Sequence, residues 1–384
     1  MKASIAGLGV TEMGRIYGKT ATNFGAAAVR RAAADAHLEL SEIDGLLISG
    51  GVTGELGLPL AQELGLEDLS LLSVMQSYGS TAGAMVQFAA LAIESGQATA
   101  VACVFADAPL KERVATGASY AQANSGGVGW EGILGSTGVN SANSLYALAA
   151  NRHMQTYGTT SEQLGAVAVA QRAWAALNPL AQMRDPITLA DHQDSRMISS
   201  PFHLLDCCLV SNGGVAVIVT SAERARDLAQ PPVDILASAQ SHPGHYMRRS
   251  EDFGLVSGAA QSGPKAFAAA GLAPSDIDLV ELYDCYTYTL MISLEDYGFC
   301  EKGAGGEFVS TPGLLGPDGS LKVNTGGGQL SSYYMWGMTP LSEAVIQLRG
   351  QAGERQVEKH HTALVSGNGG VLDHHSTLLL GAGR

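Results

Sequence analysis

The sequence has few cysteines and no pattern that would pair them or place them on a metal. Five occur among 384 residues without a CxxC spacing, at Cys103, Cys207, Cys208, Cys285 and Cys300. An odd, unpatterned set fits reduced thiols better than a disulfide framework or a zinc site. The ten histidines show no HExxH motif or other spacing that sets three ligands on one element. We therefore expect no metal site.

Charge is also scarce, and positive charge is the scarcer sign. Charged residues make up 15% of the chain, with 22 Lys and Arg against 36 Asp and Glu and a formal net charge of −14. Nucleic-acid binding needs clustered cations opposite the phosphates. Nucleic acid is therefore not an expected partner.

Long apolar runs are absent as well. No stretch of about 18 apolar residues is free of charges or turn residues, so no membrane-spanning helix is predicted. At the N-terminus, MKASIAGLGVTEMG has an apolar run broken by Gly7 and Gly9, which predicts a strand rather than a secretory signal. We expect a cytoplasmic protein with no membrane partner. With 46% hydrophobic residues and 48 glycines, the composition is typical of a tightly packed α/β protein.

What the sequence does contain is an internal repeat. AAADAHLELSEIDGLLISGG (32–51) and FAAAGLAPSDIDLVELYDC (267–285) share an Ala-rich helix, a Ser-[Glu/Asp]-Ile-Asp turn and an apolar strand. A second pair, beginning at Leu71 and at Leu321, reads strand, Gly-containing turn and apolar helix in the same order. Two diverged copies of one α/β unit explain the length. We predict an N-terminal half over 1–226 and a C-terminal half over 232–384.

Residues from about 109 to 203 depart from the repeat. They contain Gly- and Ser-rich text around two helical stretches. Inserted segments over a rigid scaffold commonly build binding sites. We predict that this insertion covers a site.

One helix of the first half is predicted to be buried on every side. AGAMVQFAALAIES (82–95) is apolar on nearly all faces until its last turn. Its N-terminus follows Tyr78 and Ser80 and would aim free N–H groups into the interior. Such groups are suited to stabilising an oxyanion or a thioester oxygen.

These features together resemble the thiolase superfamily in its sterol-carrier-protein-type branch. The resemblance covers essentially the whole chain and is carried by the two α/β halves, by the buried helix and by two strings, ELYDCYTYTLMISLEDYGFCEKGAGG (281–306) and SGNGGVLDHHSTLLLG (366–381). It implies a five-layer αβαβα thiolase fold of two similar halves, usually dimeric, that acts on acyl-CoA thioesters.

The sequence departs from a true thiolase at all four catalytic elements. Tyr78 stands where the nucleophilic cysteine is expected, and Tyr283 replaces the first histidine. Tyr334 falls at or beside the second histidine, and 366–370 hold no cysteine. An acyl-enzyme mechanism needs a nucleophile with a partner base. Thiolytic Claisen chemistry is therefore not predicted.

The tyrosines in these motifs make the chain similar to the lipid-transfer-protein-type aldolases of bacterial steroid side-chain degradation. That resemblance implies retro-aldol cleavage of a β-hydroxyacyl-CoA to a ketone and a short acyl-CoA such as propionyl-CoA. It also implies a homodimer bound to a small OB-fold, zinc-ribbon partner. No tightly bound cofactor is expected, with the CoA thioester as substrate. The identity of the acyl group, steroid or another branched acid, stays open.

Tyr283 and Tyr334 are the predicted proton-transfer pair, with the roles of acid and base left open. A free tyrosine titrates near pH 10, so the base is expected to need a neighbour that lowers its pKa. Tyr333 is the rival of Tyr334, since a one-residue slip would exchange them. Tyr246 is a candidate third proton carrier or pocket residue. The alternative for each is an amphipathic core residue with a satisfied hydroxyl.

The predicted substrate-binding residues fall into three groups. The first group lies in Gly-rich turns, whose backbone N–H groups are predicted to bind the thioester oxygen. The alternative is that the glycines serve turn geometry alone. The members of this group are Gly327, Gly328, Asn368 and Gly369. Residues in or beside the motifs are Tyr78, Ser80, Asp284 and Cys285. Cations for the CoA phosphates are Arg248 and Arg249.

Two other functions stay open at this point. One is acyl transfer by a thiolase or Claisen-type enzyme that uses Ser80 or Cys285. The other is a non-catalytic acyl-CoA- or lipid-binding subunit, which would be indifferent to Tyr283→Phe and Tyr334→Phe.

Overall fold

The protein is described from a computed structural model, which describes residues 3–52, 54–120, 132, 136–139, 141–244 and 249–383. Tyr246 and Arg248 lie outside the described residues. The predictions made for them are therefore not taken further.

The described residues form eleven strands and eleven helices. The strands are β1 (Ala3–Val10), β2 (Gly45–Ser49), β3 (Leu71–Met75), β4 (Ala100–Asp107), β5 (Met197–Ser199), β6 (Phe202–His203), β7 (Gly213–Ser221), β8 (Val233–Ser241), β9 (Leu279–Glu281), β10 (Thr362–Gly369) and β11 (His374–Ala382). The helices are α1 (Ala21–Ala36), α2 (Pro59–Leu64), α3 (Thr81–Glu94), α4 (Ala142–Tyr157), α5 (Ser161–Ala176), α6 (Leu189–Asp194), α7 (Ala222–Arg226), α8 (Ala259–Ala270), α9 (Thr287–Asp296), α10 (Gly305–Val309) and α11 (Met338–Leu348).

The strand order shows the internal repeat directly. Nine described strands form one mixed sheet in the order β3-β2-β4-β7-β1-β8-β11-β10-β9. From the central β1–β8 pair outward, each half has two antiparallel contacts and then parallel ones. The second half ends on a parallel bridge from Val280 to Val323, where the first half has β3. This arrangement is compatible with the predicted boundary between 226 and 232.

The helices and the two halves of the sheet form a five-layer arrangement. Helices α1 and α2 cover the outer face of the first half, and α8 covers the second half with α9 beside it. Both α3 and α11 contact strands of both halves, so they form the middle layer. The burial predicted for α3 is confirmed, because ten of its 14 residues are buried.

Each of the two central helices begins at a tight turn that is closed by a threonine side chain. The hydroxyl of Thr81 accepts a hydrogen bond from the N–H of Ser77 at 2.9 Å. In the same way, the hydroxyl of Thr339 accepts one from the N–H of Met335 at 2.9 Å. Each bond pairs the first backbone N–H of its turn and fixes the conformation of the turn that leads into the helix.

The insertion packs against the second half through a buried ionic network. Glu295 on α9 accepts hydrogen bonds from His153 Nε2 at 3.1 Å, Lys302 Nζ at 2.9 Å and the N–H of Gly305 at 2.8 Å. Burial alone would raise the pKa of Glu295, but the hydrogen bond from His153 and the charge of Lys302 lower it to about 2. The carboxylate therefore stays ionised and ties α4 to α9.

Membrane crossing finds no support in the helices. None that the structure describes is both long and apolar enough to span a bilayer.

Candidate active site

Two tyrosine hydroxyls meet between the halves. Tyr283 follows β9, and Tyr334 follows the π-helical turn Gly328–Ser332. Their hydroxyl oxygens lie 3.0 Å apart, which is hydrogen-bond distance, and either can donate. The rings meet edge to face at a centroid distance of 6.5 Å. The structure thus brings together the two residues that the sequence predicts as a pair.

The structure separates Tyr334 from its rival Tyr333. The hydroxyl of Tyr333 is 2.7 Å from Ser342 Oγ on α11, inside the core. Tyr333 has an extended backbone, with φ at −155°, and successive side chains of extended backbone point to opposite sides. The Tyr334 N–H donates to Ser211 Oγ at 3.0 Å, while its hydroxyl meets Tyr283. The geometry therefore favours Tyr334 as the partner of Tyr283.

Gly79 lets the backbone approach the ring of Tyr283. A Cβ atom at this position would lie 2.1 Å from Cε2 of Tyr283 and 2.3 Å from the carbonyl oxygen of Asn368. Both distances are below any van der Waals contact, so no side chain fits there. Gly79 follows Tyr78, which has a φ of +53°. The turn before α3 thus forms one wall of the tyrosine site.

The environment raises the pKa of both tyrosines rather than lowering it. Burial is the main cause, and nearby titratable groups add to it. For Tyr283 these include Tyr334 and Cys285, and for Tyr334 they include Cys208 and Cys285. The expectation that a neighbour lowers the pKa of one of these tyrosines below its ordinary value is therefore wrong. Desolvation disfavours the phenolate, so both phenols are protonated at neutral pH.

Asp284 holds the turn that leads to Tyr334. Its Oδ1 accepts a hydrogen bond from the N–H of Gln329 at 2.8 Å. Gly328 has a φ of +58°, and a Cβ there would lie 2.0 Å from Asp284 Oδ2. Burial raises the pKa of Asp284 to about 7, against the lowering effect of its donors. The neighbouring Gly327, with a φ of +93°, packs against Ala175. Asp284 and the two glycines therefore shape the turn.

The two candidate acyl-transfer nucleophiles are poorly placed for that chemistry. Burial raises the pKa of the Cys285 thiol to about 12, and a thiol rather than a thiolate is a poor nucleophile. Ser80 is buried, and its hydroxyl donates to the carbonyl oxygen of Ser77 at 2.8 Å. Neither geometry supports an activated nucleophile.

The remaining predicted residues divide between the site and the surface. Tyr78 is 44% exposed, and its ring faces His374 and Trp336 at centroid distances of 6.3 and 6.1 Å. Gly369 packs tightly on the first-half turn, since a Cβ there would lie 2.0 Å from the carbonyl oxygen of Ser77. Asn368 is buried beside it and donates from its side-chain amide to the hydroxyl of Tyr146 at 2.8 Å.

Arg249 has structural partners in place of the predicted phosphate. Its guanidinium is buried and donates to the carbonyl oxygens of Leu372 and Val256. Burial lowers its pKa, although nearby carboxylates including Asp373 oppose the effect. The geometry therefore gives no support to phosphate binding by Arg249.

The structure adds residues that the sequence did not single out. Tyr146 on α4 is buried, and its pKa is raised mainly by burial and further by the proximity of Cys285 and Tyr334. Asp107, at the end of β4, accepts a hydrogen bond from Tyr120 at 3.2 Å. Tyr120 and Tyr146 both belong to the insertion. The only sequence evidence for their role was therefore the prediction that the insertion covers a site. No local motif marks these positions.

Comparison with known proteins agrees with this architecture. Residues 239–382 match the family described as Thiolase C-terminal domain-like. The chain is 38% identical to a Thermomonospora curvata protein named steroid side-chain-cleaving aldolase, over 100% of this chain and 98% of that protein. It is 36% identical to a Mycobacterium tuberculosis protein named 17-hydroxy-3-oxo-4-pregnene-20-carboxyl-CoA lyase, over 96% of this chain and 97% of that one.

A solved structure is similar over the same extent. The Ltp2-ChsH2(DUF35) aldolase superposes with a TM-score of 0.88 at 36% identity, covering 100% of this chain and 98% of that chain. The predicted thiolase fold is thus confirmed. Full-length identity of this level, together with the tyrosine pair, also confirms the predicted resemblance. The chain belongs to the thiolase superfamily, in the branch that contains the steroid side-chain-cleaving aldolases.

Proposed function

We propose that this chain is a carbon–carbon lyase that cleaves a β-hydroxyacyl-CoA by a retro-aldol reaction. The substrate is a steroid side-chain thioester, and the products are a ketone and a short acyl-CoA such as propionyl-CoA. The full-length relatives named as aldolase and lyase support this assignment. The observation that carries it is the 3.0 Å contact between the hydroxyls of Tyr283 and Tyr334.

A pair of neutral phenols can move the proton that this reaction requires. One hydroxyl donates to the other and keeps a lone pair free, while the second keeps its own proton free. The β-hydroxyl of the substrate gives its proton to the first tyrosine, which passes its own to the second. The second tyrosine protonates the α-carbon of the thioester enolate as the bond between Cα and Cβ breaks. One O–H bond and one C–C bond are lost, and one C=O π bond and one C–H bond are gained.

The raised pKa values are consistent with this relay. Neither tyrosine has to remain ionised, because each gains a proton as it loses one. Burial that keeps both phenols protonated therefore favours the starting state of the relay. The 3.0 Å contact satisfies the distance requirement for proton transfer between the two tyrosines. The pair is symmetric in this respect, so the acid and the base are defined by the bound substrate.

The proposal extends to partners and cofactors. The name of the similar Ltp2-ChsH2(DUF35) aldolase supports a heteromeric complex, and we infer a small OB-fold, zinc-ribbon protein as the partner. We also infer a homodimer. Strand β3 is at the edge of the sheet and exposes Leu72 and Val74 at 42% and 44%, and an apolar edge strand favours pairing with another chain. No tightly bound cofactor is proposed beyond the CoA thioester substrate.

The test is a cleavage assay on the chain co-expressed with its partner, using a β-hydroxy steroid acyl-CoA with and without free CoA. Ketone and short acyl-CoA should form without added CoA. Tyr283→Phe and Tyr334→Phe should each lower kcat by about 100-fold to 10,000-fold, because each breaks the relay. Tyr333→Phe is the matched control and should retain activity. Mass spectrometry of the products provides the measurement.

Two results would overturn the proposal. Products that appear only when free CoA is supplied would indicate thiolysis and a nucleophile elsewhere. Binding of the acyl-CoA without cleavage, unchanged in both tyrosine variants, would indicate a non-catalytic acyl-CoA-binding subunit.

A further inference from the structure

Asn368 has a buried side-chain oxygen with no hydrogen-bond partner. Its side chain is 2% exposed, near the end of β10. The amide nitrogen Nδ2 donates to the hydroxyl of Tyr146 at 2.8 Å. Within the part of the chain that the structure describes, the Oδ1 atom is unpartnered. Leaving a buried acceptor unpaired is unfavourable, so a donor at this atom would be favoured.

The contacts of Tyr146 fix which way the amide faces. Its hydroxyl lies 2.5 Å from the carbonyl oxygen of Gly370. A carbonyl can only accept, so the single hydroxyl proton of Tyr146 goes to Gly370. The hydroxyl then offers Asn368 a lone pair, and the amide must present its NH₂ group. Oδ1 is therefore the end of the amide that is turned away from Tyr146, and it can only accept.

Asn368 lies directly beside the tyrosine pair. A Cβ at Gly79 would be 2.3 Å from the backbone oxygen of Asn368 and 2.1 Å from the ring of Tyr283. Gly79 thus packs against both the backbone of Asn368 and the ring of Tyr283, which places the two residues against the same turn. Burial is the main cause of the raised pKa of Tyr283, and the proximity of Tyr146 contributes to it. A substrate whose reacting carbons reach Tyr283 therefore brings its adjoining atoms close to Asn368.

The chemistry of the substrate selects the donor. Oδ1 requires an N–H or O–H group, and the thioester oxygen, the sulfur and the enolate carry none. The one proton of the β-hydroxyl is used by the tyrosine relay. The nearest remaining donor is the amide N–H of the cysteamine unit of CoA, two methylene groups from the thioester sulfur.

We propose that Asn368 Oδ1 accepts a hydrogen bond from this amide N–H, with Tyr146 as the positioning residue that orients it. Asn368 is then a specificity residue for the CoA arm, supplied by the second half and oriented by the insertion. The inference rests on the proposed function, because it assumes a thioester of CoA at Tyr283.

The test compares two ligands by calorimetry on the chain in complex with its partner. Both are non-cleavable pantetheine thioethers of the same acyl group, and in one the cysteamine amide N–H is replaced by an ester oxygen. The wild-type protein should bind the amide about 10-fold or more tightly than the ester, since the ester leaves Oδ1 unpaired. Asn368→Ala should bind the two with less than about a 2-fold difference.

Two further variants separate orientation from simple damage. Tyr146→Phe keeps the ring but removes the hydroxyl that holds the amide, and it should reduce the preference to about 3-fold or less. Tyr288→Phe is its matched control, because Tyr288 is equally buried and also donates to a carbonyl, that of Gly254 at 2.7 Å. This control should retain the full 10-fold preference. If Asn368→Ala does not fold, the Tyr146→Phe result decides.

A full amide preference in Asn368→Ala or in Tyr146→Phe would overturn the inference, as would equal binding of amide and ester by the wild-type protein. Failure of the proposed function is read separately, from absence of cleavage of the hydroxyacyl-CoA. The thioethers report binding alone, so the two failures are distinguishable.

Discussion

The turns before the two central helices have the same backbone and different side chains. The first spans 77–81 and the second 335–339. Each has a non-glycine residue with positive φ at its second position, Tyr78 at +53° and Trp336 at +48°, followed by glycine. Each ends on a threonine whose hydroxyl accepts from the first N–H of the turn. The repeat thus extends to individual hydrogen bonds.

The side chains at the second position have opposite surroundings. Tyr78 is 44% exposed, whereas Trp336 is 4% exposed and stacks on Phe105 at a centroid distance of 4.6 Å. The turns also touch, since a Cβ at Gly337 would lie 2.3 Å from the carbonyl oxygen of Gly79. The first turn walls the tyrosine site and the second anchors the core. The two turns thus share a backbone conformation, whereas their side chains lie in different surroundings.

The largest expected effect comes from filling the first turn. Gly79→Ala would add a methyl group that overlaps both the ring of Tyr283 and the carbonyl oxygen of Asn368. We expect a loss of about 4 kcal/mol or more in the free energy of unfolding, or no folded protein. Any folded fraction should be inactive, because Tyr283 must move away from Tyr334. Chemical denaturation and the cleavage assay measure the two effects.

Gly117→Ala is the control for this change. A methyl group at Gly117 would meet no atom of the described residues within 4 Å, so stability and activity should stay at the wild-type level. A Gly79→Ala protein with unchanged stability and cleavage would show that the first turn does not press on the tyrosine site.

An intermediate effect should separate the two aromatic residues of the turns. Trp336→Ala removes a buried ring from its stack on Phe105 and should cost about 3 to 4 kcal/mol of unfolding free energy. Tyr78→Ala removes a half-exposed ring and should cost less than about 1 kcal/mol. Thermal unfolding of both variants is the measurement. Equal destabilisation would contradict the division between a core anchor and a wall of the site.

The smallest expected effect concerns Asp284, a carboxyl group that has no counterpart in the first half. Under the repeat offset that aligns Ser41 with Ser275, Asp284 corresponds to Gly50. Burial raises the pKa of Asp284 to about 7, so the folded state holds this proton more tightly than the unfolded state. Protonation of Asp284 therefore contributes to the stability of the folded state. This contribution is complete below the ordinary carboxyl pKa of about 4 and is lost as the pH rises through 7.

Asp284→Asn should remove that pH dependence. Asparagine carries no charge, and its oxygen can still accept from Gln329. We expect the variant to be more stable than the wild type by about 1 to 3 kcal/mol above pH 8, with a smaller difference at pH 5. Urea unfolding at both pH values tests this. A variant that is less stable at high pH would mean that Asp284 is held as a favourable carboxylate.

Much of the fold was predictable because its signals are local. The pairing of Ser41 with Ser275 identified the repeat, and the apolar run after Tyr78 predicted a buried helix at 82–95, observed at 81–94. The tyrosine substitutions in the family motifs predicted Tyr283 and Tyr334 as neighbours. Such patterns are readable because helix and strand periods act over a few residues.

Other parts of the site could not be read in this way. The choice between Tyr333 and Tyr334 depends on which of two adjacent side chains faces Tyr283, and a one-residue shift in alignment reverses it. Tyr146 lies more than a hundred residues from Tyr283 and has no motif around it. The direction of the tyrosine pKa shift depends on burial, which the local sequence does not specify.

By itself, the sequence determined the two-half architecture, the buried central helix and the tyrosines at positions where a thiolase has its catalytic histidines. The first two follow from hydrophobic periodicity and glycine placement, and the third follows from the resemblance of short motifs to the thiolase superfamily. Only the tertiary structure decided that Tyr334 meets Tyr283, that Arg249 is bonded to backbone carbonyls, and that Asn368 is oriented by Tyr146. Hydrogen bonds and desolvation depend on distances of a few ångströms between segments far apart in the chain, and packing alone sets those distances.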